Sequence, residues 1–424
     1  MRRPRHNPFS PDLPVPPALF AGRKKALATI EAGIDSLLSG RPKHLLIVSE
    51  PWLGKSSLAF RAKRMAHNLG AGAPLQMGRF AMCKPVFCSM GACSSLPQVC
   101  TTIMNSVLRG VGAPIGSSIS RLLKRVKGLR MGPLGIDFES ARQAGASVVS
   151  EFPHLLEDIL TGVGGCVEER SSVLLILDEV QNIAAIQGLA SHIKTTLEYL
   201  SERSHTNLAL VITANPADLV TLSRQVDSFA GMFSTISIGR ITDAEVQELL
   251  TETACRGRPS RAFTDDAIAY MVELAAGYPG FVQQIGHAAF DLASGPLIDL
   301  RAVKKALVGG DRMKGAVDSI ADKHFRHLLD LEPIYSRILD AIDLAETPLT
   351  SADIRSRLPE IRNLGPYIKK LLNRNAITRL GTRSRPEYAI AAPIVSLWLH
   401  LQRTLPQSQL PDRCRPASAA LPRM

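Results

Sequence analysis

The chain has 424 residues, 45% of them hydrophobic and 21% charged, and its 50 basic and 38 acidic side chains leave a net charge of +12. This is an ordinary globular mixture with length for about three domains, and an aromatic share of only 5% favours helices and parallel strands over a β-sandwich. The basic excess suits polyanionic partners, whether nucleic acid, nucleotide or an anionic membrane surface.

Several classes are disfavoured at once. No run of about 18 apolar residues occurs, so no membrane span is expected. The basic N-terminus lacks the apolar stretch of a signal peptide. Seven cysteines, an odd number without Cys-x-x-Cys spacing, read as free thiols of a reducing, cytoplasmic compartment. The ten histidines show no His-x-x-x-His pair and there is no Gly-x-Ser-x-Gly elbow, which argues against a metal hydrolase or serine hydrolase.

Residues 1–19, rich in Pro and Arg, read as an extended or disordered tail. From residue 20 to 240, short apolar runs alternate with longer amphipathic segments, the pattern of a parallel α/β sheet. The runs are His44–Val48, Pro85–Ser89, Val173–Leu177, Leu208–Thr213 and Thr235–Ile238. Most are continuous rather than alternating, as expected of strands covered on both faces.

The first run leads into Ser49-Glu50-Pro51-Trp52-Leu53-Gly54-Lys55-Ser56, and Ser57-Leu58-Ala59-Phe60 opens a helix behind it. Strand, loop, Gly-Lys-Ser and helix is the context of a phosphate-binding P-loop. Backbone N–H groups at a helix N-terminus attract phosphate oxygens. Ser49, Gly54, Lys55, Ser56 and Ser57 are therefore candidate ATP contacts, with Lys55 reaching the β- and γ-phosphates and Ser56 ligating Mg²⁺. Ser49 and Trp52 stand where such loops often carry glycine, and an indole crowds a loop that needs positive φ.

A basic stretch, Arg121, Lys124, Arg125, Lys127 and Arg130, lines one side of an amphipathic helix whose apolar side is Ile119, Leu122, Leu123 and Val126. It suits a phosphate backbone or an anionic membrane, or is simply a solvated face. Further on, Val173–Leu177 ends in Asp178 and Glu179. A carboxylate at a strand tip suits Mg²⁺, here Asp178, and its neighbour Glu179 suits a general base acting on water.

At this point a family resemblance becomes specific. Ser49–Leu58 resembles the Gly-Glu-Pro-Gly-Ile-Gly-Lys-[Ser/Thr]-Ser-Leu signature of STAND and related AAA+ ATPases, and Asp178-Glu179-Val180-Gln181 resembles their Walker B motif. Phe20-Ala21-Gly22-Arg23 resembles the box that opens these domains near the adenine, with Lys24 in place of its acid. The resemblance implies nucleotide contacts at Gly22 and Arg23 and a sensor role for Asn215, which follows the fourth strand. Gly277-Tyr278-Pro279 is similar to the Gly-x-Pro turn of STAND switches and implies that Pro279 packs on the adenine, with Gly280 where replication loaders carry arginine. Arg224 and Arg240 are candidates for an arginine finger, or are surface charge.

Residues 241–310 carry helical periodicity, with stripes Val246, Leu249, Leu250 and Ala267, Tyr270, Met271, Leu274, as expected of a lid. Residues 311–331 read as a connector. In 332–403, Ile334, Ile338 and Ile342 mark a helix, Thr350–Asp353 a capped start, and Leu364, Ile368, Leu371 and Leu372 a third helix. Two short runs around an Arg- and Gly-rich turn, then Ile394, Leu397, Trp398 and Leu401, complete what resembles a winged helix. Lys369, Lys370 and Arg374 on its third helix and Arg379, Arg383 and Arg385 on its wing are candidate contacts to double-stranded DNA. Residues 404–424 read as a disordered tail.

The expected fold is thus an α/β P-loop parallel sheet with a helical lid and a C-terminal winged helix. The expected function is an ATP-binding and ATP-hydrolysing switch that engages DNA, a partner protein or further copies of itself. The alternative is a winged-helix DNA regulator whose altered loop binds nucleotide without turnover.

Overall fold

The computed structural model describes residues 6–69, 73–75, 79–111, 131–132, 135–136, 145–164, 169–310, 313–324, 326, 332–345, 347–382 and 384–404. The basic stretch at 119–130, Arg383 and the tail from 405 lie outside them.

The chain forms two compact units, one of residues 14–50 and 54–239, the other of residues 1–13, 51–53 and 240–424. The first unit, the core, is built on a six-stranded sheet: β1 (Leu45–Val48), β2 (Ala73–Leu75), β3 (Arg79–Ser89), β4 (Glu169–Asp178), β5 (Leu208–Ala214) and β6 (Ser234–Ser237). In space the order is β2-β3-β4-β5-β1-β6, parallel throughout except for β2, which runs antiparallel to β3 at the edge.

The apolar runs are continuous because both faces are covered. Leu45, Ile47, Leu174, Ile176, Ala209 and Val211 pack under α1 (Lys24–Leu38) and α2 (Lys55–Leu69). Their neighbours Leu46, Val48, Leu175, Leu177, Leu210 and Ile212 face α3 (Leu96–Val111), α4 (Ala146–Gly164), α5 (Leu189–Glu202) and α6 (Pro216–Gln225). Each of the Leu, Ile and Val side chains contributes about 1.5–3 kcal/mol by leaving water. A polar replacement anywhere in Val173–Leu177 or Leu208–Ile212 therefore meets a helix whichever way it points.

The C-terminal unit opens with helices α7 (Asp243–Ala254), α8 (Asp265–Ala275), α9 (Pro279–Leu292), α10 (Leu300–Val308) and α11 (Ala316–His324). Thr242 starts α7 with a reciprocal capping box to Glu245. Gly277, at φ 76, makes the turn into α9, and a Cβ there would lie 2.5 Å from the Ile241 carbonyl oxygen. Helix α11 falls in the stretch read from sequence as a connector.

A winged helix follows: α12 (Ile334–Asp343), β7 (Leu349–Thr350), α13 (Ser351–Arg357), α14 (Gly365–Asn373), β8 (Ile377–Gly381), β9 (Pro386–Ile390) and α15 (Pro393–Thr404). The three strands pair antiparallel in the order β7-β9-β8. Thr350 accepts from the Asp353 amide and Asp353 returns the bond, so the Thr-Ser-Ala-Asp signal does start α13. Asn375, left-handed at φ 52, ends α14 by donating its amide to the Leu372 carbonyl.

Residues 6–19, expected as part of a tail, are folded. Residues 6–13 lie on the C-terminal unit, and Pro17–Leu19 forms a helical turn that rests on α2 of the core, where Arg61 donates to the Pro17 carbonyl at 2.9 Å.

Candidate nucleotide-binding site

Ligands of open α/β sheets bind beyond the carboxyl ends of the strands. In the core those ends belong to β1, β3, β4 and β5, and pairing aligns them: Val48 lies opposite Ala214, and Ser89 opposite Asp178. The chain leaves β1 at Ser49, whose amide still donates to the Ala214 carbonyl at 3.2 Å. It re-enters helix at Lys55 after Gly54, which holds φ 90. Only glycine takes that conformation cheaply, and no atom other than those of its own neighbours in the chain lies within 4 Å of where a Cβ would stand. The result is a helix start whose first amide groups have no intrahelical partners, the physical basis of an anion cradle.

Lys55, the first residue of α2, is the centre of a polar network. Its ammonium donates to the Ser49 carbonyl at 2.8 Å, the Glu50 carbonyl at 3.1 Å and Asn215 Oδ1 at 2.6 Å. Burial lowers its pKa to about 8, against the raising influence of Asp218, Asp178 and Glu50. Asn215 caps α6 and shares a reciprocal capping box with Asp218. Burial pushes the Asp218 carboxyl up, opposed by hydrogen bonds from Asn215 and by the Lys55 charge.

Asp178 closes β4 and is buried, 4% exposed. Its Oδ1 accepts from the Thr213 hydroxyl at 2.5 Å, which fixes the carboxylate across the β4–β5 pair. Glu179 follows in a left-handed conformation, φ 61, unusual for a side-chain-bearing residue. That twist turns its carboxylate toward β3, where the Ser89 hydroxyl donates to Oε2. A Cβ at Gly91 would sit 2.7 Å from the same oxygen, so the glycine makes room for the carboxylate.

The core thus brings together Ser49, Lys55, Asp178, Glu179 and Asn215. Ser56 and Ser57 lie in the first turn of α2, and the Ser57 hydroxyl accepts from the Val15 amide at 3.1 Å. Gly22 and Arg23, at φ 70 and 60, lead into α1, and the Arg23 guanidinium donates to the Gly239 carbonyl at 2.6 Å, just past β6. Pro279 begins α9 in the C-terminal unit. Trp52 adopts φ 66, the positive value its position demands, and belongs with that unit too, its ring over Gly280, where a Cβ would fall 2.5 Å from an indole carbon.

Arg240 is committed elsewhere. Its guanidinium stacks 4.7 Å from the Tyr278 ring and donates to the Ala391 carbonyl at 3.0 Å within its own unit, so the finger role considered for it is unsupported. Arg224 lies in the last turn of α6. Three buried thiols are poor nucleophiles: Cys100, 3.3 Å from His192 Nε2, is pushed up to about 12 by burial, as are Cys83 and Cys88.

The oxygen set of Asp178 and Ser56 fits a hard divalent cation that takes its other ligands from phosphate and water. Among the described residues no group of three or more His, Cys, Asp or Glu gathers as a thiolate or imidazole cage would require. Residues missed by sequence reasoning are Ser89, Thr213 as the Asp178 partner, and Asp218. Ser89 and Thr213 each left the same signal, a polar residue closing an apolar run.

No protein-family model and no curated protein matches the sequence. Among solved structures, 90% of the chain is similar to 96% of a Walker-type ATPase of Pyrococcus abyssi, at 17% identity and a TM-score of 0.53. Similarly, 94% of it matches 97% of the ORC2 protein of Aeropyrum pernix in its ADP form, at 15% identity and a TM-score of 0.51. At these identities the likeness is one of fold, and the fold is that of the Walker-type P-loop ATPases.

Proposed function

We propose that the chain is an ATP-binding, ATP-hydrolysing switch of the AAA+ kind, closest in design to the STAND branch. The observation that carries this reading is the convergence of Lys55, Asp178, Glu179 and Asn215 on the carboxyl ends of neighbouring strands. Lys55 and the first amides of α2 bind the β- and γ-phosphates. Asp178 and Ser56 hold Mg²⁺, which neutralises charge on the phosphate oxygens. Thr213 keeps Asp178 aimed, and Asn215 steers the Lys55 ammonium. Glu179 accepts a proton from the attacking water as its oxygen bonds the γ-phosphorus and the bond to ADP breaks, releasing phosphate. Ser89 restrains Glu179 until substrate recruits it.

The STAND assignment rests on Pro279 and Gly280 at the start of α9, where no arginine is available to touch a γ-phosphate. Nucleotide exchange then biases the lid and the winged helix. The free thiols Cys83, Cys88, Cys93, Cys100 and Cys255 support a cytoplasmic setting, and no described helix is long and apolar enough to cross a membrane.

For output we favour double-stranded DNA, because Lys369 and Lys370 on α14, Arg374 just past its end, and Arg379 and Arg385 on the wing are all exposed and no acid interrupts the helix. A partner protein or a second copy is the competing output. A nucleotide site that binds without turnover is favoured by one feature, the left-handed Trp52. Phosphate release from ATP, before and after Glu179→Gln, separates the readings. A loss of about 100-fold or more with ATP still bound supports hydrolysis, and no release by the unaltered chain leaves the binding-only scaffold.

A further inference from the structure

The N-terminal segment sits on the C-terminal unit as a ligand sits in a site. Asn7, Pro8 and Phe9 form a tight turn, closed by the Phe9 amide donating to Asn7 Oδ1 at 3.1 Å. The turn is thus shaped by its own residues rather than by the surface beneath it. Phe9 is 3% exposed and packs edge-on to Phe263, with ring centres 6.1 Å apart, and against Phe290 at 6.2 Å. The floor of its pocket is Gly286 in the middle of α9, where a Cβ would lie 2.5 Å from the Phe9 ring. Glycine costs a helix stability at such a place, and the space it leaves is filled by this ring.

Polar groups read the rest of the segment. Asn7 Nδ2 donates to the His287 carbonyl at 3.0 Å and to Asp291 at 2.8 Å, and the Ser10 amide donates to Gln283 Oε1 at 2.9 Å. His6 and Arg258 exchange two backbone hydrogen bonds of 3.0 Å, and Lys323 binds Asp12. Anchor ring, side-chain amide and backbone bridge together form a recognition site rather than incidental packing.

Beyond the turn the segment is stiff, with prolines at 11, 14, 16 and 17. A short proline-rich tether resists bending back, and an identical segment from another molecule makes the same contacts without any new surface. We propose that the groove over Gly286 is a peptide-recognition site for the Asn7-Pro8-Phe9 turn, and that a second copy of this chain can supply that turn in trans. The inference is independent of the nucleotide reading.

The test pairs two full-length variants. Phe9→Ala removes the anchor and leaves the groove open, and Gly286→Leu fills the groove and leaves the anchor free. By sedimentation equilibrium, each alone should keep the mass it shows when dilute, and their equimolar mixture should form a new species containing one of each. A mixture that sediments as the sum of its parts, with both variants folded by circular dichroism, overturns the proposal. If either variant misfolds, a synthetic peptide of residues 6–13 is titrated into the full-length Asn7→Ala chain. Saturable binding that weakens at least tenfold when the peptide's own Phe9 is replaced by Ala supports the site, and no saturable binding refutes it.

Discussion

The core site and the winged helix carry similar side chains under opposite conditions. Lys55 is half-buried, bonded three times and lowered to about 8, whereas Lys369 and Arg374 stand exposed in water. Desolvation makes each buried group depend on its partners, so one deletion in the core propagates through Asn215, Asp218 and Asp178. Exposed cations act through summed charge, screened by salt and nearly additive. Chemistry belongs to the first environment and adjustable association to the second.

The largest effect that sharpens this contrast is expected at Asp178. Asp178→Asn should lower phosphate release by about 100-fold or more, because the cation loses its fixed carboxylate. Release rates within a few-fold of the unaltered chain would mean that the metal sits elsewhere. Thr213→Val removes only the hydroxyl that aims Asp178. It should raise the Mg²⁺ concentration needed for half-maximal activity about tenfold with ATP binding largely intact, read from magnesium titrations of activity.

A pH series probes the buried lysine directly. The Lys55 ammonium persists below about 8 and is lost as the pH rises through it, and phosphate prefers the ammonium form. ATP affinity should therefore be flat near pH 7 and decline above about 8, by at most tenfold per pH unit, while Lys55→Ala shows no such decline. An identical slope in both proteins would assign the titration to another group. The smallest effect belongs to the exposed face. Lys369→Ala with Arg374→Ala should reduce the salt dependence of duplex binding by about two counterions, similarly for every sequence tested. An unchanged slope would remove α14 from the interface.

Legibility in the sequence follows the same divide between local and non-local causes. The continuous apolar runs reported strands buried on both faces, Gly-Lys-Ser reported a helix start after a strand, and Thr350 with Asp353 reported a capped helix. Each of these signals lies within a few residues of its effect. The antiparallel edge strand Ala73–Leu75, the Ser89–Glu179 bond and the Thr213–Asp178 bond arise from strands that meet only in the folded sheet, so no local pattern announces them. Residues 6–13 show the reverse error. Their prolines read as a tail, yet Phe9 has a pocket whose floor, Gly286, lies far along the chain. Arg240 is similarly ambiguous in sequence because its partners, Tyr278 and Ala391, lie 38 and 151 residues away along the chain.

Calorimetric titration of ATP with Mg²⁺ into the unaltered chain and Lys55→Ala tests the central claim most directly. We expect one binding event per chain in the unaltered protein, weakened at least tenfold when the ammonium is removed. Equal heats and affinities in the two proteins, or none in either, would contradict a phosphate site at the turn between β1 and α2.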